Sequence, residues 1–260
     1  MDTREMQEEF GIQMNQLNEP LALSSKDIFY WLNKAQEHFV ITRYNGMNLT
    51  GRGFEQSQQV IDDLKTLVKK NHYISCFYDD SFSFMDFKAD YAEFPANMMF
   101  LLSDRSRIAY HFPFISFTYD GSPSGSGANP RSPQQPYIEI VVKNRYSQSD
   151  DIFKMLEDPF NTTKVLSPLC DISDRGITVY TDSTFVVNNV IINYIRRPKR
   201  LTLVSHSAEE TDTCELPPHT HKEIIQLAVD LFLQNTRELK QRLQRETPTA
   251  DKQQNIEDNE

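Results

Sequence analysis

The sequence predicts an α+β protein in which helices from the two ends of the chain form a helical bundle beside a central β-rich domain. Apolar residues recur at spacings of three and four up to about residue 70 and again after Cys214, as on one face of an amphipathic helix. Between these segments, β-branched and aromatic residues form short runs separated by Pro, Gly, Asn and Asp, a pattern typical of strands and turns.

Two helices are predicted before residue 42. Phe10, Met14 and Leu17 give the first, at residues 3–17, one apolar side. Ser24 and Asp27 have the spacing of a capping box and begin the second helix, at residues 25–41. Its expected packing face consists of Ile28, Trp31, Leu32, Ala35 and Phe39.

A third helix is predicted at residues 54–70, after a turn at residues 45–53 that contains three glycines. Ile61, Leu64 and Val68 lie on one side of this helix and charged residues lie on the other. We expect the second and third helices to form an antiparallel hairpin that buries a shared apolar seam.

The middle of the chain is predicted to be rich in strands. Candidate strands are residues 73–78, 98–102, 108–119, 137–143, 176–181, 186–196 and 200–204. A short helix is expected at residues 150–156. Residues 121–136, almost wholly Gly, Ser, Pro, Asn and Gln, should form an exposed flexible loop that becomes ordered against a neighbouring subunit.

The last helix should begin at Thr220, which has the spacing of a second capping box with Glu223, and should end before Pro248. Its first half is apolar on one side and its second half is basic. The basic residues are candidates for docking to an acidic groove on a neighbouring protein, and they are Arg237, Lys240, Arg242 and Arg245.

These patterns predict four segments: helices at 1–72, a β-rich domain at 73–213, a helix at 214–246 that packs with the N-terminal helices, and a disordered acidic tail at 247–260. The candidate helix-packing core consists of Ile28, Trp31, Leu32, Phe39, Leu64, Val68, Ile224, Leu227 and Leu231.

Composition and charge limit the classes of protein to which the chain can belong. The formal net charge of −10 argues against a general nucleic-acid binder, which needs a concentrated excess of lysine and arginine. The three cysteines are widely separated, which favours reduced thiols over a disulfide framework. The acidic first ten residues and the lack of a long apolar run predict neither a signal peptide nor a membrane span.

Few residues in the chain have the arrangement that catalysis or metal binding requires. The best metal candidate is Cys214, His219 and His221, but zinc would need a fourth donor. No Gly-x-Ser-x-Gly elbow is present, and carboxylate pairs such as Asp62 and Asp63 are adjacent, so their side chains diverge. We therefore expect no catalytic, metal or cofactor site.

Several short motifs, spread over most of the chain, occur in a characteristic order. They are Leu23-Ser24-Ser25, Trp31-Leu32-Asn33-Lys34-Ala35-Gln36, Phe54-Glu55, Asp62-Asp63-Leu64-Lys65-Thr66-Leu67-Val68, Asp158-Pro159-Phe160-Asn161, Ile191-Ile192-Asn193-Tyr194-Ile195-Arg196-Arg197-Pro198, Cys214-Glu215-Leu216-Pro217 and His221-Lys222-Glu223-Ile224-Ile225-Gln226-Leu227-Ala228-Val229. In order and spacing they resemble the neck or ring proteins of crAss-like and related podoviral phages.

The resemblance implies a virion structural protein and not an enzyme. It implies a homo-oligomeric ring, by analogy a dodecamer, in the head-to-tail connector below the portal, where the ring stabilises the neck and forms part of the DNA passage. The implied partners are the portal protein and other neck or tail ring proteins, with no membrane and no specific DNA binding. Assembly would take place in the cytoplasm of the bacterial host.

Two other interpretations of the sequence stay open. One is a virion accessory protein that forms no ring, such as a cargo or decoration protein. The other is a cytosolic α+β enzyme or ligand-binding domain. The mass of the purified chain, alone and mixed with portal, distinguishes them from a ring protein.

Overall fold

A computed structural model describes residues 1–16, 23–46, 58–110, 138–173, 175–182, 184–202 and 213–246; in the last range the side chains of residues 239, 240 and 242–246 are not described. The predicted α+β class with a β-rich core is confirmed. The helices are α1 (Thr3–Gln16), α2 (Ser25–Asn45), α3 (Gln58–Leu64), α4 (Ile152–Glu157) and α5 (His221–Glu246). The strands are β1 (Val68–Ser75), β2 (Phe77–Tyr78), β3 (Lys88–Glu93), β4 (Met98–Tyr110), β5 (Ile138–Lys143), β6 (Arg145–Tyr146), β7 (Leu169–Ile172), β8 (Gly176–Thr181) and β9 (Phe185–Arg196).

The chain divides into two compact units. Met1–Leu67 and Pro198–Glu260 form a helical unit, and Val68–Arg197 form a β-rich unit. Within the helical unit, α1, α2 and α5 contact one another. Each buries an apolar stripe, because a helix that is apolar on one side is stabilised mainly by packing.

The start and end of α2 follow from local chemistry. The predicted capping box is confirmed: the Ser24 side chain accepts a hydrogen bond from the Asp27 N–H, and the Asp27 carboxylate accepts one from the Ser24 N–H. The helix continues to Asn45, four residues beyond the predicted end. Gly46 then ends it with a left-handed φ of 73°, a conformation that glycine adopts without steric cost.

The predictions for the third and last helices were wrong in part. The helix predicted to reach Lys70 ends at Leu64, because Val68 begins a strand that pairs with β9. At the last helix, the Thr220 hydroxyl donates to the Pro217 carbonyl, and Glu223 binds Arg43, so these two side chains do not form the predicted capping box. Within the described residues the helix proper begins at His221, after a 3-10 turn.

Two sheets form the β-rich unit. One has four antiparallel strands in the order β1-β9-β4-β5, and the other has five in the order β2-β3-β8-β7-β6. Side chains from both sheets share one core, which includes Ile74, Ile108, Ile177, Val179, Phe185, Val187, Val190 and Ile192. Helix α4 contributes to a second, smaller core with residues of β3, β7 and β8.

Strand β4 corrects the prediction of two separate strands at 98–102 and 108–119. The polar residues Ser103–Arg107 suggested a break, but the strand is continuous from Met98 to Tyr110. It is continuous because Asp104 and Ser106, both buried, find partners: the Ser106 hydroxyl donates to Asn144 Oδ1 at 2.6 Å, and the Asn144 amide donates to Asp104. Burial raises the pKa of Asp104 above its ordinary value.

Other strand predictions had mixed outcomes. The strand predicted at 176–181 has the same limits as β8, and β5 and β9 differ from their predictions by one residue. Strands β3 and β7 were not predicted, and Arg200–Thr202 are not in a strand. The loop at 121–136 and the tail at 247–260 lie outside the described residues.

Candidate assembly surfaces

Most of the predicted packing residues in α2 and α3 are buried. Ile28, Trp31, Leu32, Phe39 and Leu64 are all in the core of the helical unit. The Trp31 ring meets the Phe232 ring of α5 edge to face, with centroids 5.8 Å apart. This aromatic contact joins α2 to α5 across about 200 residues of sequence.

The buried face of α5 is rotated from the predicted one. Ile224 is buried as predicted, but Leu227 and Leu231 are half-buried. Ile225 and Val229, which the periodicity argument did not select, are fully buried. Val68, predicted to complete the helical core, lies half-buried in strand β1 of the β-rich unit.

A buried ion pair connects α2 to α3. Arg43 Nε lies 3.0 Å from Asp63 Oδ2, although the N–H does not point along a hydrogen-bond direction, and the two side chains are 14% and 2% exposed. Arg43 also donates to Glu223 of α5 at 2.5 Å and stacks over the Phe39 ring. His219 Nε2 lies 2.8 Å from the other Asp63 oxygen. The Asp63 carboxylate therefore connects α3 to α2 through Arg43 and to the turn before α5 through His219.

The three metal candidates have separate partners. The Gln36 amide donates to Cys214 Sγ, His219 contacts Asp63, and His221 Nε2 contacts the Leu216 carbonyl at 2.8 Å. Among the described residues, no group of three His, Cys, Asp or Glu side chains is arranged to hold a metal ion. Burial raises the pKa of Cys214 and lowers that of His221. These side chains stabilise the start of α5.

The candidate docking residues all lie on the second half of α5. Arg237 is exposed beside Glu238 and Gln241. The side chains of Lys240, Arg242 and Arg245 lie outside the described residues.

An apolar loop extends from the β-rich unit at residues 158–167. Phe160 is 84% exposed and Leu166 is 76% exposed. Hydrogen bonds nevertheless fix the loop: the Asp158 carboxylate accepts from the Phe160 N–H at 2.9 Å, and Lys164 donates to the Phe160 carbonyl at 2.9 Å. At its base, the Thr163 hydroxyl donates to the Tyr180 carbonyl at 2.6 Å. Two large apolar side chains exposed on one hydrogen-bonded loop make it a candidate protein contact. The sequence analysis includes Asp158–Asn161 among the motifs that resemble phage ring proteins, but it does not predict an exposed contact there.

Comparison with protein families gives the decisive observation. Residues 1–108 match the family described as phage tail ring protein 3/4. This match confirms the predicted resemblance to the ring proteins of crAss-like phages. No curated protein matches the chain. The matched residues include the three N-terminal helices, β1, and β4 up to Ile108.

The match to a phage tail ring family supports a structural ring role in general. Ring proteins of this kind are structural components of the virion, and they assemble as oligomers with other tail proteins. No helix in the described ranges is both long enough and apolar enough to cross a membrane.

Proposed function

We propose that the chain forms a ring in the head-to-tail connector below the portal, where it stabilises the neck and surrounds part of the DNA passage. The observation that carries this proposal is the match of residues 1–108 to phage tail ring protein 3/4. The ring is a dodecamer by resemblance, and its role is structural and not catalytic. The net charge of −10 supports the DNA passage, because an acidic wall repels phosphates and lets a duplex slide.

The basic half of α5 is the proposed docking element for the portal or for the next ring. It contains Arg237, Lys240, Arg242 and Arg245 within nine residues of an acidic chain. Ion pairs of such cations with an acidic groove set orientation and association rate more than affinity. The exposed Phe160 and Leu166 provide a second, apolar contact for a neighbouring neck protein.

The ring itself is tested by mixing the purified chain with portal and measuring mass and images by electron microscopy. The expected result is a closed ring of this chain stacked on one end of the portal. Single copies bound to portal without a ring would support the non-ring accessory alternative, and a chain that stays monomeric and does not bind portal would contradict the proposal.

The docking element is tested by reversing Arg237, Lys240, Arg242 and Arg245 to Glu in the phage. The fold should survive, because these positions follow the apolar half of α5, but DNA-filled heads should lack tails. A matched variant that exchanges Arg for Lys and Lys for Arg at the same positions retains the charge and should assemble. Infectious particles from the Glu variant, or salt-sensitive duplex binding by the wild-type chain, would contradict the docking role.

A further inference from the structure

The two sheets of the β-rich unit differ at their edges. The five-stranded sheet ends in β2 and β6, each two residues long, and such short edges offer little for another strand to pair with. The four-stranded sheet ends in β1 and β5, of eight and six residues. Among the residues that the structure describes, no strand lies on the outer side of β1 or β5. Within the described ranges, the four-stranded sheet therefore has an unpaired strand at each end.

Strand β5 lacks two of the usual protections of an edge, a proline and a bulge. Its sequence, Ile-Glu-Ile-Val-Val-Lys, contains no Pro or Gly, and it pairs with β4 without a bulge. Val141 is 47% exposed on the outer face of the sheet. A regular, β-branched strand with no described strand on its outer side is a template for another strand.

Strand β1 is protected along part of its length. Lys69 and Lys70 precede a bulge at Asn71, where φ is 52°, and a bulge with adjacent lysines discourages pairing. The following residues, His72–Ser75, pair regularly with β9. Tyr73 in this segment is 52% exposed. Only a partner that fits these four residues can therefore pair with β1.

We propose that β5 of one copy pairs with His72–Ser75 of the next copy, so that the four-stranded sheets join into one continuous sheet around the ring. This inference rests on the proposed ring and names the contact that closes it. The occupant of the β5 edge is thus a second copy of this chain.

Strand direction favours this arrangement. All pairs in the four-stranded sheet are antiparallel, so the edge strands β1 and β5 run in opposite directions. When β5 lies beside β1 of a copy in the same orientation, the two strands are antiparallel, like every other pair in the sheet. The outer face of the sheet is then the same in both copies. Such a head-to-tail contact uses two different surfaces, and it forms a ring when the rotation from one copy to the next closes. Pairing of β5 with β5 would instead produce a two-fold dimer that cannot grow.

Side-chain chemistry selects one register. Tyr73 lies in the same cross-strand row, and on the same face, as Lys143, so Val141 also shares that face. Pairing Tyr73 of the next copy with Val141 then places Ile74 opposite Ile140. Both faces gain an apolar cross-strand pair, Ser75 faces Glu139, and Asn71 faces Lys143, so no like charges are opposed.

A disulfide trap tests the contact. In the variant Tyr73→Cys/Val141→Cys, oxidation should link successive copies and give a ladder on a non-reducing gel. Within one chain these positions are separated by three strand spacings, at least about 14 Å, which a disulfide cannot span. The native Cys76, Cys170 and Cys214 are buried, and each single variant is a control. A ladder in the double variant alone supports the proposal.

A pair of variants provides a second measurement. Val141→Lys places a charge beside Tyr73 of the next copy and should lower the assembled fraction about tenfold, whereas Val141→Thr keeps a β-branched residue and should assemble. Urea titration verifies that both variants fold. Disulfide-linked dimers of the single variant Val141→Cys would indicate that β5 pairs with β5 of another copy about a two-fold axis, and this would overturn the proposal.

The outcomes also separate this contact from the proposed function. If wild-type chain forms rings on portal but the double variant gives no ladder and Val141→Lys assembles normally, the β5–β1 contact is wrong and the ring stands. If the wild-type chain forms no ring on portal, the proposed function fails. If the free chain is monomeric, the double variant is oxidised in purified virions instead. The absence of a ladder from these virions would overturn the proposed contact.

Discussion

Arg43 in α2 and Asp63 in α3 form an ion pair in which the carboxylate is almost completely buried. A buried charge that loses its partner is expensive, because the desolvation cost remains when the attraction is gone. Asp63 keeps a hydrogen bond to His219, so the loss of Arg43 is compensated in part.

The first prediction is that Arg43→Met lowers the free energy of unfolding by about 2–4 kcal/mol. The control is Lys65→Met, which removes the exposed pair between Lys65 and Asp62 in the same part of the chain and should cost less than about 1 kcal/mol. Urea unfolding of both variants measures the difference. Equal midpoints would show that the Arg43 contact adds nothing to stability.

A second prediction concerns the buried face of α5. Ile225→Ala should cost about 2–5 kcal/mol, because it removes a fully buried side chain, as should Leu64→Ala in α3. Leu227→Ala, two positions further along α5 and half-buried, should cost clearly less. Thermal melts compare the variants. A larger loss from Leu227→Ala would mean that the originally predicted face is the one that packs.

Acid should weaken the start of α5 through His221. Burial lowers the pKa of this imidazole from its ordinary value of 6.5, so the folded state favours the neutral ring. The neutral His221 ring therefore makes its full contribution to the free energy of unfolding above pH 6.5. This contribution is lost as the pH falls through the folded-state pKa. His221→Gln can retain the hydrogen bond to the Leu216 carbonyl and should melt with a smaller decrease between about pH 7.5 and pH 5 than wild type.

The exposed His38 supplies the control for that experiment. His38→Gln removes an imidazole from the surface of α2 and should leave the acid sensitivity of the melting temperature as in wild type. If His221→Gln and wild type lose stability in parallel on acidification, His221 is not the cause.

Removal of the apolar loop tip should affect assembly and not stability. Phe160→Ser changes an 84% exposed side chain and should shift the free energy of unfolding by less than about 0.5 kcal/mol. Phe153→Ser is the matched control, because Phe153 meets the rings of Phe82 and Phe84 and its loss should cost about 1 kcal/mol or more. Particle yields that are unchanged by Phe160→Ser would exclude the loop as an assembly contact.

The sequence by itself determined the features that depend on local chemistry. Hydrophobic periodicity and β-branched runs gave the α+β class, and the Ser24–Asp27 capping box gave the start of α2 because both of its hydrogen bonds form within one turn. Strand β8 was found with its exact limits because its apolar run is bounded by Gly176 and Asp182. The order of the short motifs was sufficient to suggest a ring protein.

Only the tertiary structure decided which surfaces are buried. Helix α5 carries apolar side chains on more than one side between Ile224 and Phe232, so periodicity permits several faces and contact with α1 and α2 selects one. Asp104 and Ser106 look like a break in a strand until Asn144, about 40 residues away, satisfies them. The end of α3 and the positions of β1 and β5 likewise depend on pairing with β9 and β4, because the free energy of pairing with these segments outweighs local propensity.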